Sequence, residues 1–122
     1  MASTQVTGQL GEAIAEGYLT EQGFVIETTS YRYRRAEIDI IASKDGSLYF
    51  VEVKTRRGFD HGHPSLAVSE KKEKLLAKAA ANYMYEVGHE WAFRFDIITI
   101  LLYKDGNYDL EHLEDVFFPG LF

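Results

Sequence analysis

Lys44-Asp45-Gly46-Ser47 lies between two apolar runs, Glu37 to Ala42 and Ser47 to Thr55, and Asp-Gly in that setting is a strong hairpin signal. A two-residue turn at Asp45 and Gly46 pairs Lys44 with Ser47. Counting back along both strands then sets Asp39 opposite Glu52 and Glu37 opposite Lys54. Side chains alternate along a strand, so Glu37, Asp39, Glu52 and Lys54 are expected on one face and Ile38, Ile40, Val51 and Val53 on the other. A three-residue turn with a bulge at Gly46 is the alternative, and it moves Asp39 opposite Val51.

Around this hairpin the pattern predicts a helix over Gly8–Gln22, with Leu10, Ala13, Ile14, Gly17 and Tyr18 as its apolar stripe and Gly23 as its stop. Phe24–Tyr33 and Phe93–Tyr103 read as further strands, rich in β-branched and aromatic residues. A second helix runs from about Ser69, a good N-cap, to Gly88, with Leu75, Leu76, Ala79, Ala80, Tyr83, Met84 and Val87 on its apolar side. Asp105-Gly106 predicts a short final hairpin arm, and Arg56 to Ala67 one long loop. The third strand, second helix and fourth strand are ordered as a right-handed crossover between parallel strands. The length of 122 residues suits one domain spanning residues 1–122.

No apolar run approaches the roughly 18 residues of a membrane span, and no basic-then-apolar leader opens the chain. Without cysteine there are no disulfides or thiolate zinc sites, which is compatible with a cytoplasmic location. The net charge of −6 argues against a surface uniformly coated for nucleic-acid binding. Its distribution is uneven, however. Tyr31 to Gly58 holds seven bases (Arg32, Arg34, Arg35, Lys44, Lys54, Arg56, Arg57) against four acids, so a polyanion is expected to meet the middle of the chain.

Two carboxylates with β-carbons about 5 Å apart repel by roughly 3 kcal/mol at an effective dielectric near 20. A divalent cation between Asp39 and Glu52 would relieve this, and Mg²⁺ commonly takes one or two carboxylates plus water and a phosphate oxygen. Lys54, two residues beyond Glu52, would then stabilise charge developing on a phosphoryl group. The arrangement reads as metal-assisted phosphodiester hydrolysis. A solvated ladder, with Lys54 neutralising one acid, is the competing reading. The nearly apolar surroundings on both strands favour a covered cleft.

Asp39, Glu52-Val53-Lys54, Gly11-Glu12 with Ala15, Glu37-Ile38-Asp39, Phe50 to Arg56 and Arg94-Phe95-Asp96 occur in an order that resembles the PD-(D/E)xK nuclease superfamily and, within it, the bacterial YraN family related to archaeal Holliday-junction resolvases. The resemblance implies an α/β, restriction-endonuclease-like fold, an α-β-β-β-α-β core whose mixed sheet is flanked by helices. It implies Mg²⁺ or Mn²⁺ held by Asp39, Glu52 and the Val53 carbonyl, catalytic roles for Lys54 and Glu12, and DNA, branched or single-stranded, as substrate. The helical wheel itself sets Glu12 nearly opposite the predicted stripe. The chain departs from the family pattern at Gln9, usually basic, at Ala36, usually glycine, and at Ile38, where the superfamily motif has proline.

The remaining candidates have plainer alternatives. Arg32, Arg34, Arg35, Arg56, Arg57 and Lys72 are the expected phosphate contacts, with Tyr31 and Tyr33 as stacking faces, yet core tyrosines beside solvated arginines account for the same pattern. His61 and His63 read as polar loop residues, and Asp96 as the partner of Arg94. Phe117, Phe118, Leu121 and Phe122 are too apolar to stand in water and pack on their own domain or on a second copy in a homodimer. A non-catalytic nucleic-acid-binding or assembly module on the same fold is the second functional reading.

Overall fold

The computed structural model describes residues 4–58 and 68–116. The predicted histidine loop and the aromatic tail from Phe117 lie outside them.

Helix α1 (Thr4–Glu21) begins earlier than its apolar pattern suggests, and its buried face is Thr7, Gly11, Ala15 and Leu19. This corrects the predicted stripe: Ala13 and Gly17 are exposed, Leu10 is 44 % exposed, and Ile14 and Tyr18 flank the buried line. Small residues set the rotation. Gly11 lies so close to β3 that a β-carbon there would collide with the Thr55 hydroxyl, so α1 seats where its slimmest side meets the sheet.

The strands are β1 (Val25–Tyr33), β2 (Ala36–Lys44), β3 (Ser47–Arg57), β4 (Phe93–Leu102) and β5 (Tyr108–Leu113), in one sheet ordered as in the chain. All neighbours are antiparallel except β3 and β4, which helix α2 (Glu70–Val87) joins as the expected crossover. Ser69 caps α2, its Oγ accepting the Lys72 N–H at 3.1 Å. β3 runs on to Arg57, so the start of the predicted long loop is strand. The β4–β5 connection is wider than a two-residue turn: pairing stops at Leu102–Tyr108, and Asp105 Oδ1 accepts the Asn107 N–H within the loop.

At the β2–β3 turn Asp45 (φ 52°) and Gly46 (φ 83°) both take the left-handed conformations of a type I′ turn. The ladder accordingly runs from Lys44–Ser47 to Ile40–Val51 in the predicted register, which excludes the bulged alternative.

One core lies under α1 and another under α2. Ile40, Ala42, Val51, Ile98 and Ile100 join Ala15 and Leu19 in the first, whereas Ile38, Ile41, Phe50 and Phe95 join Leu76, Ala79 and Ala80 in the second. Strict alternation therefore fails, and Ile38 does not share a face with Ile40 and Val51. The step falls at Asp39. Beyond Ile40–Val51 the ladder stops, Asp39 Oδ2 accepts the Val53 N–H at 2.8 Å, and Ser30 (φ 50°) interrupts β1 between the pairs Thr29–Ile40 and Tyr31–Ile38. Among the described residues no helix is long and apolar enough to cross a membrane.

Candidate functional site

Where β2 and β3 part, a gap opens in the ladder at Asp39 and Glu52, with Glu12 of α1 and Lys72 of α2 near enough to act on their charges. Asp39 is half-buried, and its carboxyl is pushed up to about 7 by burial and the Glu52 charge, helped by Glu12 and Glu37 and opposed by the Val53 N–H. Glu52 Oε1 lies 3.3 Å from Lys72 Nζ at the first turn of α2, while Oε2 is buried with no hydrogen-bond partner among the described residues. Such an orphaned carboxylate oxygen is expensive in a protein interior unless a cation or donor completes it.

Lys54 is half-buried beyond Glu52, and burial together with Lys72 and Arg56 holds its ammonium below the ordinary lysine range despite the Glu52 charge. Glu12 is also half-buried, and its carboxyl is raised by burial and by Glu37, Glu16 and Glu52. The rotation of α1 imposed by Gly11 thus turns Glu12 toward the acids, contrary to the wheel drawn from sequence. Glu37, expected opposite Lys54, instead pairs across β1–β2 with Arg32 at 2.8 Å. Val53 projects its N–H toward Asp39, and a strand residue directs its carbonyl to the same side, so that oxygen also opens toward β2.

Among the described residues no three His, Cys, Asp or Glu side chains converge as a metal-binding group. Asp39 and Glu52 come together; Glu12 contributes charge without closing a three-carboxylate cage. Two carboxylates and one carbonyl nevertheless match the donor set Mg²⁺ accepts when waters and a substrate oxygen complete it, and the buried orphan on Glu52 is an atom such an ion would satisfy.

Arg34 and Arg35 form the β1–β2 turn and Arg56 and Arg57 the end of β3; Arg34, Arg35 and Arg56 are exposed. Arg57 Nε donates to Thr7 Oγ1 at 3.3 Å, so this arginine ties β3 to α1. Tyr31 and Tyr33 are half-buried and pack against the α2 core, and the Tyr31 hydroxyl donates to Glu86 Oε1 at 2.6 Å and accepts from Asn82.

A second polar cluster escaped sequence reasoning except for its ion pair. Asp96, buried on the α1 face of β4, accepts from Arg94 Nε at 2.9 Å and from the Asp115 N–H at 3.0 Å, and it meets His112 Nε2 at 2.7 Å. His112 Nδ1 lies 2.9 Å from the Tyr18 hydroxyl. Burial alone would raise the Asp96 carboxyl; hydrogen bonds from His112, Arg94 and Asp115 outweigh it and leave it below the usual carboxylate range. A lone histidine on a short strand carries no periodic signal that could have announced this.

Helix, three-strand meander, crossover helix and fourth strand, with the acids where β2 and β3 diverge, define an α/β protein with a restriction-endonuclease-like core. The model of the uncharacterised protein family UPF0102 matches residues 11–100, and the chain belongs to that family, also called YraN. A UPF0102 protein of Chlorobium phaeobacteroides is 47 % identical over 116 residues, covering 90 % of this chain and 91 % of the relative. One from Chlorobaculum tepidum is 38 % identical over 126 residues, with 98 % of each chain covered. One from Rhodococcus jostii is 37 % identical over 118 residues, with 96 % of this chain and 100 % of the relative covered.

Proposed function

We propose that this protein is a metal-dependent endonuclease of the PD-(D/E)xK superfamily, cleaving phosphodiester bonds of DNA that is branched or single-stranded. The observation that carries the reading is the half-buried pair Asp39 and Glu52, one carboxyl raised to about 7 and the other holding a buried oxygen with no partner among the described residues, with Lys54 alongside. Two acids so placed oppose folding unless a cation joins them.

Asp39, Glu52 and the Val53 carbonyl would hold Mg²⁺ or Mn²⁺, which supplies Lewis acidity toward a phosphoryl oxygen and lowers the pKa of water. The Asp39 carboxylate is fixed by the Val53 N–H, so its free oxygen is already oriented. Lys54 presents a partly desolvated ammonium to the negative charge that grows on the phosphoryl oxygens, where a preorganised cation is worth more than in water. Glu12 adds negative charge at the rim and is suited to hold a proton or a water there. Arg34, Arg35 and Arg56 stand exposed at the same end of the sheet, and with Lys72 they would contact backbone phosphates. Arg32 and Arg57 are engaged with Glu37 and Thr7 and would contribute less.

A non-catalytic nucleic-acid-binding or assembly module is the second reading, favoured by the net charge of −6 and by Gln9 where the family usually has a basic residue. Cleavage assays on linear, single-stranded, flap and four-way-junction DNA with Mn²⁺ separate the two. Wild type is expected to cut at least one substrate, and Asp39→Ala, Glu52→Ala and Lys54→Ala to lose at least about 100-fold while keeping native circular dichroism. Equal cleavage by wild type and all three variants would sink the assignment.

A further inference from the structure

Among the described residues, the ion pair of Lys72 with Glu52 links α2 to the acids of the gap, and its two ends are unlike. The Lys72 side chain is 47 % exposed, whereas that of Glu52 is 13 % exposed. Glu52 cannot leave without dragging β3, but Lys72 reaches in from the solvent side on a long flexible stem, its backbone N–H already fixed by Ser69. The lysine satisfies Oε1, while Oε2 is buried with no hydrogen-bond partner among the described residues. Lys54 and Arg56 crowd positive charge into the same space, since Lys54 feels Lys72 and Arg56 as repulsive neighbours and Glu52 as an attractive one.

We propose that Lys72 is a built-in counter-ion for Glu52 that competes with a divalent cation, so that loading the site ejects the Lys72 ammonium toward solvent and the substrate. The inference rests on the metal-site reading above and deepens it. A divalent ion at Glu52 would stand beside an ammonium 3.3 Å from Oε1. The two repel strongly in a partly desolvated gap, and the more exposed partner gives way. Before a cation binds, the lysine neutralises Glu52, and the phosphate contact assigned to Lys72 becomes available only once the cation is in place.

Calorimetric titration of Mn²⁺ into the full-length protein without nucleic acid tests this, because it reads binding rather than turnover. Lys72→Met is expected to bind Mn²⁺ about fivefold more tightly than wild type, the factor a competing, partly exposed ion pair represents. Lys72→Arg, which keeps a competing cation, and Lys71→Met, which removes an exposed charge from the same turn, should stay within about twofold of wild type, and Asp39→Asn should lose the binding. Lys72→Met binding no more tightly than wild type, or Lys71→Met gaining as much, overturns the inference while leaving the metal site standing. No Mn²⁺ binding by any form, or binding that Asp39→Asn leaves untouched, overturns the proposed function and this inference together.

Discussion

Asp39 substitutes a side-chain oxygen for a strand carbonyl, and that exchange links the fold to the site. By taking the Val53 N–H it lets β2 part from β3, and it brings a carboxylate toward Glu52 at a point where neither is well solvated. Its carboxyl is raised from 3.8 to about 7, so across that interval the folded, metal-free protein binds a proton that the unfolded chain has already released. The contribution of the protonated form is whole below the lower value and is lost as pH rises through the upper one. Asp39→Asn should therefore match wild type near pH 4 in chelator and become progressively more stable than it toward pH 7. Millimolar Mn²⁺ should raise the wild-type Tm at neutral pH and leave the variant nearly unmoved. Thermal melts of both proteins check this; a variant less stable than wild type at pH 7, with no Mn²⁺ response in either, would mean that Asp39 belongs to a charged ladder. The register from Lys44–Ser47 to Ile40–Val51, which leaves Asp39 and Glu52 just past the last pair, was legible because a turn with two left-handed residues fixes it by counting alone. The step of β2 from one core to the other was not, because it depends on an unpaired backbone group finding a side chain.

Among the elements, α1 shows how close packing overrides the largest apolar side chains. Its pattern points to Leu10 and Tyr18, but the helix buries Gly11 and Ala15, because approach to Thr55 needs a side without bulk. The position of Glu12 follows from that rotation, which the helical wheel alone did not give. The end caps of α2 and the order of strands were readable locally; the grip of β5 on α1 was not, since it passes through residues 94 apart in sequence, Tyr18 and His112. Asp96 joins these elements, taking hydrogen bonds from β4 and from the segment after β5. Asp96→Asn should cost about 3 kcal/mol near neutral pH, as expected when one partner of a buried charged cluster is removed. The carboxyl lies below its ordinary value, so its contribution is complete above that value and fades as pH falls through the folded one. Urea melts of wild type and variant should show the largest gap at neutral pH and a narrowing gap in acid; a gap that does not depend on pH would assign the effect to shape alone.

At the scale of the whole molecule, strand order follows chain order, and every sheet neighbour but one is joined by a hairpin. The same arrangement gathers exposed arginines at the end of the sheet where β2 begins and β3 finishes, so a net charge of −6 coexists with a cationic approach to the acids. The type I′ turn at Asp45 and Gly46 has a further consequence, for the route by which the chain finds its structure. Three strands joined by two tight turns close short loops early, whereas the parallel β3–β4 pair must wait for α2 to span the gap between them. Gly46→Ala strains the turn and should slow refolding by most of the factor its lost stability represents. Leu76→Ala, which hollows the α2 core, should instead act mainly by hastening unfolding. Stopped-flow chevrons for the two variants would show this as a shift of the folding limb in one and of the unfolding limb in the other; the reverse pattern would place the nucleus at the crossover.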